Sequence, residues 1–389
     1  MWASAHMKRS LDRILTTHAG SLPRPPDVLA MATGQTLDPA VFATRVRRAV
    51  VDVVRRQAEH GLDVVTDGEM SKPSFITYVT ERLTGFEPSR EPGAVPWAGS
   101  REATAFPEFY EPTLRQSPNA AAPRFVCTGP VTYVGHARVQ ADIDNLTAAL
   151  AGLRVEEAFI PAIAPSNVEG RQKNAHYKTD EEYLFAIADA MHEEYRAIVA
   201  AGFLLQIDDL RLVTYYILNP RSSVAECRAW AAVRVEALNH ALRGIPRDRV
   251  RFHTCYSINM GPRVHDMELK DVVDIILSVR AGAYSFEAAN PRHEHEWRVW
   301  ESVTLPDGAL LIPGVITQST VLVEHPELVA ERIVRFARVV GRENVVAGAD
   351  CGFASFAGST EIHPSIVWAK LASLTAGAAL ASRQLWGRG

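Results

Sequence analysis

The feature that most limits the fold is a repeated alternation along the chain of short apolar, β-rich runs and longer amphipathic stretches. The runs fall at residues 13–18, 62–68, 124–129, 157–164, 203–209, 250–256, 283–288, 309–316 and 344–350. Between most of them lie helical periods such as FATRVRRAVVDVVRRQAEHG and ELVAERIVRFARVVGREN. Continuous apolar strands that alternate with helices imply a parallel sheet buried on both faces. The repeat number predicts an α/β fold of the (β/α)8 TIM barrel type, with one run outside the barrel or continuing another. An open doubly wound sheet is the alternative, but the GxGxxG turn common after an early strand of such folds is absent.

Residues 8–389 read as a single barrel catalytic domain, and residues 1–7 (MWASAHM) as an N-terminal tail that could be partly of cloning origin. Residues 85–123, rich in Pro, Gly and charge, form a long loop excursion after strand 2. A loop of that length is functional or poorly ordered. Its aromatic cluster AFPEFYEP favours an ordered cover over the barrel mouth or a contact with a second copy, which makes a homodimer plausible.

Composition removes several function classes. A net charge of −4 without a Lys/Arg run lacks the electrostatic footprint of nucleic-acid binding. No apolar run approaches the ~20 residues of a membrane span, which leaves the cytoplasm as the default location. Cys127, Cys227, Cys255 and Cys351 are few and far apart, as expected of reduced thiols.

In a (β/α)8 barrel the active site lies at the carboxyl ends of the strands. Polar residues end or follow most runs here: His18 and Ser21, Asp67 and Glu69, Asp208 and Asp209, His253 and Cys255, Glu287, then Asp350 and Cys351. Helix caps and turns account for Asp67 and Asp350 but poorly for Cys255, Cys351 and Glu287. His253 and Cys255, two apart on a strand, project to one side. If the strands ending at Cys255, Glu287 and Cys351 face one mouth, His253, Cys255, Glu287 and Cys351 make a zinc shell of one nitrogen, two sulfurs and a replaceable carboxylate. His293 and His295 could also be ligands, although their polar setting suits a solvated face or a substrate contact.

The segments TTHAGSLPRP (16–25), DGE (67–69), QIDD (206–209), HTCYS (253–257), FEAAN (286–290) and ADCGF (349–353) resemble, in this order, the catalytic barrel of the cobalamin-independent methionine synthase family. More narrowly they resemble its short single-barrel relatives, a group that includes epoxyalkane:coenzyme M transferase-like proteins. The resemblance implies a (β/α)8 barrel with a Zn²⁺ that binds the thiol substrate, held by His253, Cys255, Glu287 and Cys351. It further implies that Ser21 and Glu69 hold the amino-acid part of homocysteine. Asp208 would contact the amino group or assist at the reacting centre.

The chain departs from the family pattern at two places. It reads IDDLR where the synthases read IDEPA, and PGVITQST, with Gln318, Ser319 and Thr320, where they carry a His used in proton handling. The long members also have a second barrel that contributes to folate binding, for which this chain has no room, so the methyl donor is the least constrained part. The expected activity is a zinc-dependent S-alkyltransferase of methionine biosynthesis, similar to 5-methyltetrahydropteroyltriglutamate-homocysteine S-methyltransferase. It would transfer a methyl group to homocysteine or a related small thiol through a zinc-bound thiolate. Its partners would be a small-molecule thiol and an alkyl donor, with no nucleic acid or membrane. One alternative is addition of a thiol to an epoxide or demethylation of a methyl ether; another, of a different class, is a metal-free barrel decarboxylase or lyase.

Overall fold

The computed structural model describes residues 6–32, 38–89, 97–116, 124–256, 260–358 and 362–387. Eight strands form the main sheet: β1 (Leu15–Thr16), β2 (Val64–Thr66), β3 (Glu157–Ile163), β4 (Leu204–Asp208), β5 (Val250–His253), β6 (Ala283–Phe286), β7 (Leu310–Ile316) and β8 (Val346–Ala349). They are parallel and run in the order β1-β8-β7-β6-β5-β4-β3-β2. Across the remaining seam, Asp63 N donates to Thr16 O (3.1 Å) and Thr17 Oγ1 to Val64 O (3.1 Å). The result is a nearly closed TIM-barrel sheet wrapped by helices, as the alternating runs predict.

Apolar side chains on alternate strand positions point inward or outward. Leu15, Val64, Phe159, Leu204, Ala283, Leu310, Ile312 and Val346 fill the lower barrel, while a much larger cluster joins the outer strand faces to the helices. Met7, grouped with the tail by sequence, packs into that lower layer. Higher up the interior turns polar. Arg251 is buried and donates to Thr17 Oγ1 (3.0 Å) and His18 O (3.2 Å), with its guanidinium 3.9 Å from the Phe159 ring centre.

Of the nine apolar runs, 124–129 is the one outside the barrel. Its strand, Phe125–Cys127, pairs antiparallel with Phe86–Pro88 and parallel with Lys173–Asn174 in a small separate sheet. The excursion after β2 is therefore partly ordered structure. It holds that first strand and two helices, Arg101–Ala105 and Pro107–Gln116; residues 90–96 and 117–123 lie outside the described residues. Ser100 caps the first helix through Ala103 N (3.1 Å). Arg101 ties it to the barrel by donating to Tyr216 O (3.0 Å) and Ser222 O (2.6 Å).

One expectation fails. The helix Pro364–Trp386 is long and apolar enough to cross a membrane by length and composition. Half of its apolar window is buried, it packs against the helix Pro326–Val340, and it carries the buried ion pair of Lys370 Nζ with Glu324 Oε2 (2.9 Å).

Candidate metal centre and active site

Parallel pairing sets three strand ends side by side. Asp208 at the end of β4 is in register with His253 at the end of β5, and His253 with Ser285 in β6. Regular pairing in β5 stops at His253, so Cys255 lies just past the strand; Ser257 is outside the described residues. Cys351 follows β8 after Asp350. The ligand atoms of His253, Cys255 and Cys351 all lie within 4.8 Å of one another, and all three residues are buried. The two sulfurs are 3.2 Å apart, and that hydrogen bond, with burial, raises the Cys351 thiol pKa well above its ordinary value.

His253 Nδ1 lies 3.1 Å from Ser285 Oγ, an arrangement that fixes the ring and leaves its other nitrogen for the sulfurs. Burial alone would depress the His253 pKa, but the Cys255 hydrogen bond and the charges of Asp208 and Glu287 raise it. One imidazole and two thiols buried together are a donor set suited to zinc, and three protein donors leave a fourth position open. The residues present fit the metal the sequence implies.

Glu287, expected as the fourth ligand, is adjacent but otherwise engaged. Its Oε1 accepts from Tyr256 N (2.7 Å), and its Oε2 accepts from Asn290 Nδ2 (2.7 Å) and lies 2.9 Å from Arg263 Nη2. Burial outweighs the Arg263 charge and lifts its pKa to about 7. The structure brings together three of the four expected ligands and holds the carboxylate beside them.

A pocket opens onto the cluster, lined also by Ser21, Glu69, Phe75, Asp208, Leu210 and Ser355. Glu69 is buried and adopts φ 58, a left-handed conformation that costs a non-glycine residue energy. Its Oε2 has no hydrogen-bond partner among the described residues. Such strain and an orphaned carboxylate oxygen suit a site that waits for a cation. Ser21 Oγ occupies space that only a glycine at 352 leaves, since a Cβ there would sit 2.1 Å from it. Asp208 accepts from Gln206 Nε2 (2.8 Å), and burial raises its pKa to about 7.

Other strand-end residues prove structural. His18 is buried, 2.9 Å from Gln57 Oε1, and burial lowers its pKa to about 4, so it is a neutral packing residue. Asp67 Oδ1 accepts from Glu69 N (3.0 Å), and Asp350 accepts the backbone N–H of Ala288, Ala289 and Asn290 (2.7–2.9 Å). Asp209 receives the first N–H groups of the helix Arg211–Leu218. His293 lies between Glu296 (2.7 Å) and Asp266 (3.0 Å), and these bonds, against the effect of burial, raise its pKa to about 9. A charged imidazolium with both nitrogens engaged does not ligate metal. Sequence reasoning missed Arg263, the partner of Glu287, because an arginine in a loop carries no signal that it will be buried.

Comparison with known proteins agrees with this geometry. The family model described as the catalytic domain of cobalamin-independent synthase matches residues 14–156. A methionine synthase of Thermococcus kodakarensis is 24% identical over 95% of this chain and 94% of its own length. One from Sulfolobus acidocaldarius is 23% identical over 87% and 85%, respectively. The solved B12-independent methionine synthase from Shewanella sp. W3-18-1, in complex with selenomethionine, superposes with a TM-score of 0.75 at 20% identity, covering 96% of this chain and 99% of that one. The chain is thus similar over nearly its whole length to methionine synthases, carries a match to the catalytic domain of cobalamin-independent synthase over residues 14–156, and shares its barrel fold with the solved B12-independent enzyme.

Proposed function

We propose that the chain is a zinc-dependent S-methyltransferase that methylates homocysteine or a related small amino-acid thiol, acting in the cytoplasm on small-molecule partners. The observation that carries this reading is the convergence of His253, Cys255 and Cys351 beside a pocket whose wall holds the orphaned Glu69 carboxylate oxygen. Relatives of nearly equal length that are named methionine synthase support it.

Zn²⁺ held by His253, Cys255 and Cys351 would deprotonate a substrate thiol at neutral pH, where a thiol of pKa ~8.5 is otherwise mostly protonated. The cysteines are ligands, and the nucleophilic sulfur belongs to the substrate. Glu69 and Ser21 hold its ammonium and carboxylate end, which fixes the direction of the sulfur. The sulfur attacks the methyl carbon in line, the bond between that carbon and the donor atom breaks, and the donor atom takes a proton. Asp208 can supply that proton, because a carboxyl with a pKa of about 7 is substantially protonated at neutral pH. Phe75 and Leu210 line the same pocket and limit water around the reacting atoms.

The test offers the zinc-loaded protein homocysteine, coenzyme M and glutathione together, in separate reactions with a methyl-folate and with a short epoxide. Methionine as the main product supports the reading. Coenzyme M alkylated by the epoxide, with no methionine, overturns it, as does full activity in a zinc-free Cys255→Ser protein.

A further inference from the structure

The pocket beside the metal centre is walled in part by three strand-end loops, which contribute Ser21 after β1, Glu69 and Phe75 after β2, and Gly352 and Ser355 after β8. One buried side chain joins them. Arg24, in the loop after β1, donates from Nη2 to Glu69 O (2.9 Å) and Lys72 O (2.8 Å), and from Nη1 to Ala354 O (2.8 Å). A guanidinium suits the place, since it stays charged when buried and its rigid fork aims one nitrogen at each of the two neighbouring loops. Backbone bonds run alongside, from Leu22 N to Gly68 O (3.1 Å) and from Phe353 N to Ser21 O (3.0 Å), so the three loops are held as one unit.

Within that unit Glu69 carries the strain. A left-handed backbone such as its φ of 58 persists only where the surroundings fix it, and its carbonyl accepts from both Arg24 Nη2 and Lys72 N (3.1 Å). The arginine bonds to the Glu69 backbone, while the carboxylate Oε2 keeps no hydrogen-bond partner among the described residues. A cation bonded to Oε2 would occupy the atom that a substrate ammonium needs; one bonded to the carbonyl orients the residue and leaves that atom available. We propose that Arg24 is a positioning residue that clamps the Glu69 backbone to the loop after β8 and so aims the Glu69 carboxylate at the ammonium group of the amino-acid thiol. This role rests on the reading of Glu69 given above and extends it, because selectivity for an amino-acid thiol then depends on a side chain that acts through another.

The experiment uses the full chain loaded with zinc and measures, by titration, zinc content and the dissociation constants of homocysteine and of 4-mercaptobutyrate, the same thiol without its amino group. Arg24→Gln should weaken homocysteine about tenfold, the scale of one charge-assisted hydrogen bond, and leave 4-mercaptobutyrate affinity and zinc content unchanged. Adding Arg24→Gln to Glu69→Gln should weaken homocysteine no further than Glu69→Gln does alone, because both changes remove the same interaction. Arg24→Lys keeps the charge but offers one nitrogen in place of two, so a loss of about threefold is expected, and this variant carries the test if Arg24→Gln does not fold. Unchanged homocysteine affinity in the folded variant, equal losses for the two thiols, losses that add in the double variant, or loss of zinc would overturn the inference. A wild-type chain that binds no zinc or no homocysteine, or a Glu69→Gln protein with full homocysteine affinity, would instead sink the reading on which it rests, which keeps the two failures distinguishable.

Discussion

Asp208 sits where its neutral form is favoured: burial and the nearby Glu69 raise its pKa to about 7, against the lowering effects of His253, Gln206 and Lys72. In the unfolded chain an aspartate titrates near ~3.9. Between about pH 4 and pH 7 the unfolded chain therefore loses this proton while the folded protein keeps it, and the metal-free protein loses stability as pH rises through that window, by up to about 4 kcal/mol. Asp208→Asn removes this dependence. Denaturant titrations at pH 4.5 and 7.5 should show the variant gaining stability relative to wild type at the higher pH, while methyl transfer falls by ~10²-fold or more. A variant that is equally active at pH 7 would remove Asp208 from the chemistry.

Glu69 predicts a different signature. With its Oε2 reserved for a cation, Glu69→Gln should raise KM for homocysteine by roughly 10- to 100-fold, the loss expected for one charge-assisted hydrogen bond. KM for a thiol without an amino group should change little, and a uniform rise across both thiols would show that Glu69 does not read the ammonium. At this scale the sequence was informative where a residue type fitted its position badly. Cys255 and Cys351 are poor caps and lie together with His253, while Glu287, another poor cap, is engaged by Tyr256 and Asn290; Asp67 and Asp350 are good caps and do bind backbone N–H groups. Arg263 was illegible, because its place beside Glu287 depends on a left-handed backbone fixed from a helix more than a hundred residues earlier.

Among the elements, the helices Pro326–Val340 and Pro364–Trp386 show how close packing overrides local preference. At Gly377 an added Cβ would lie 2.4 Å from Val329 Cγ1 and 2.8 Å from Pro326 O. Helix propensity alone favours Gly377→Ala by ~1 kcal/mol, but forcing the helices apart costs about 1–3 kcal/mol. A thermal melt should therefore show a lower Tm for the variant, and a higher one would mean that the helices separate without cost. The same pairing explains why the last helix passes as membrane-length by composition: its apolar residues meet another helix and the barrel. The run at 124–129 looked like a barrel strand for a related reason. Periodicity reports a buried strand without saying which sheet it joins, and pairing with Phe86–Pro88 is a long-range fact.

For the molecule as a whole, the barrel was legible because eight of the nine apolar runs carry strands of one parallel sheet. The excursion was legible only as an interruption, since its two short helices are fixed by contacts such as Arg101 with Tyr216 and Glu102 with Arg263. The proposed ligands His253, Cys255 and Cys351 sit at strand ends, so chelation should leave the barrel folded by circular dichroism and lower its Tm only by the binding energy of the lost ion. The most direct test of the whole account is zinc K-edge absorption on the purified chain, before and after homocysteine is added. The predicted result is about one zinc per chain with two sulfur neighbours, rising to three when the thiol binds. Turnover without bound zinc, or a sulfur count that stays at two while methionine is formed, would contradict it.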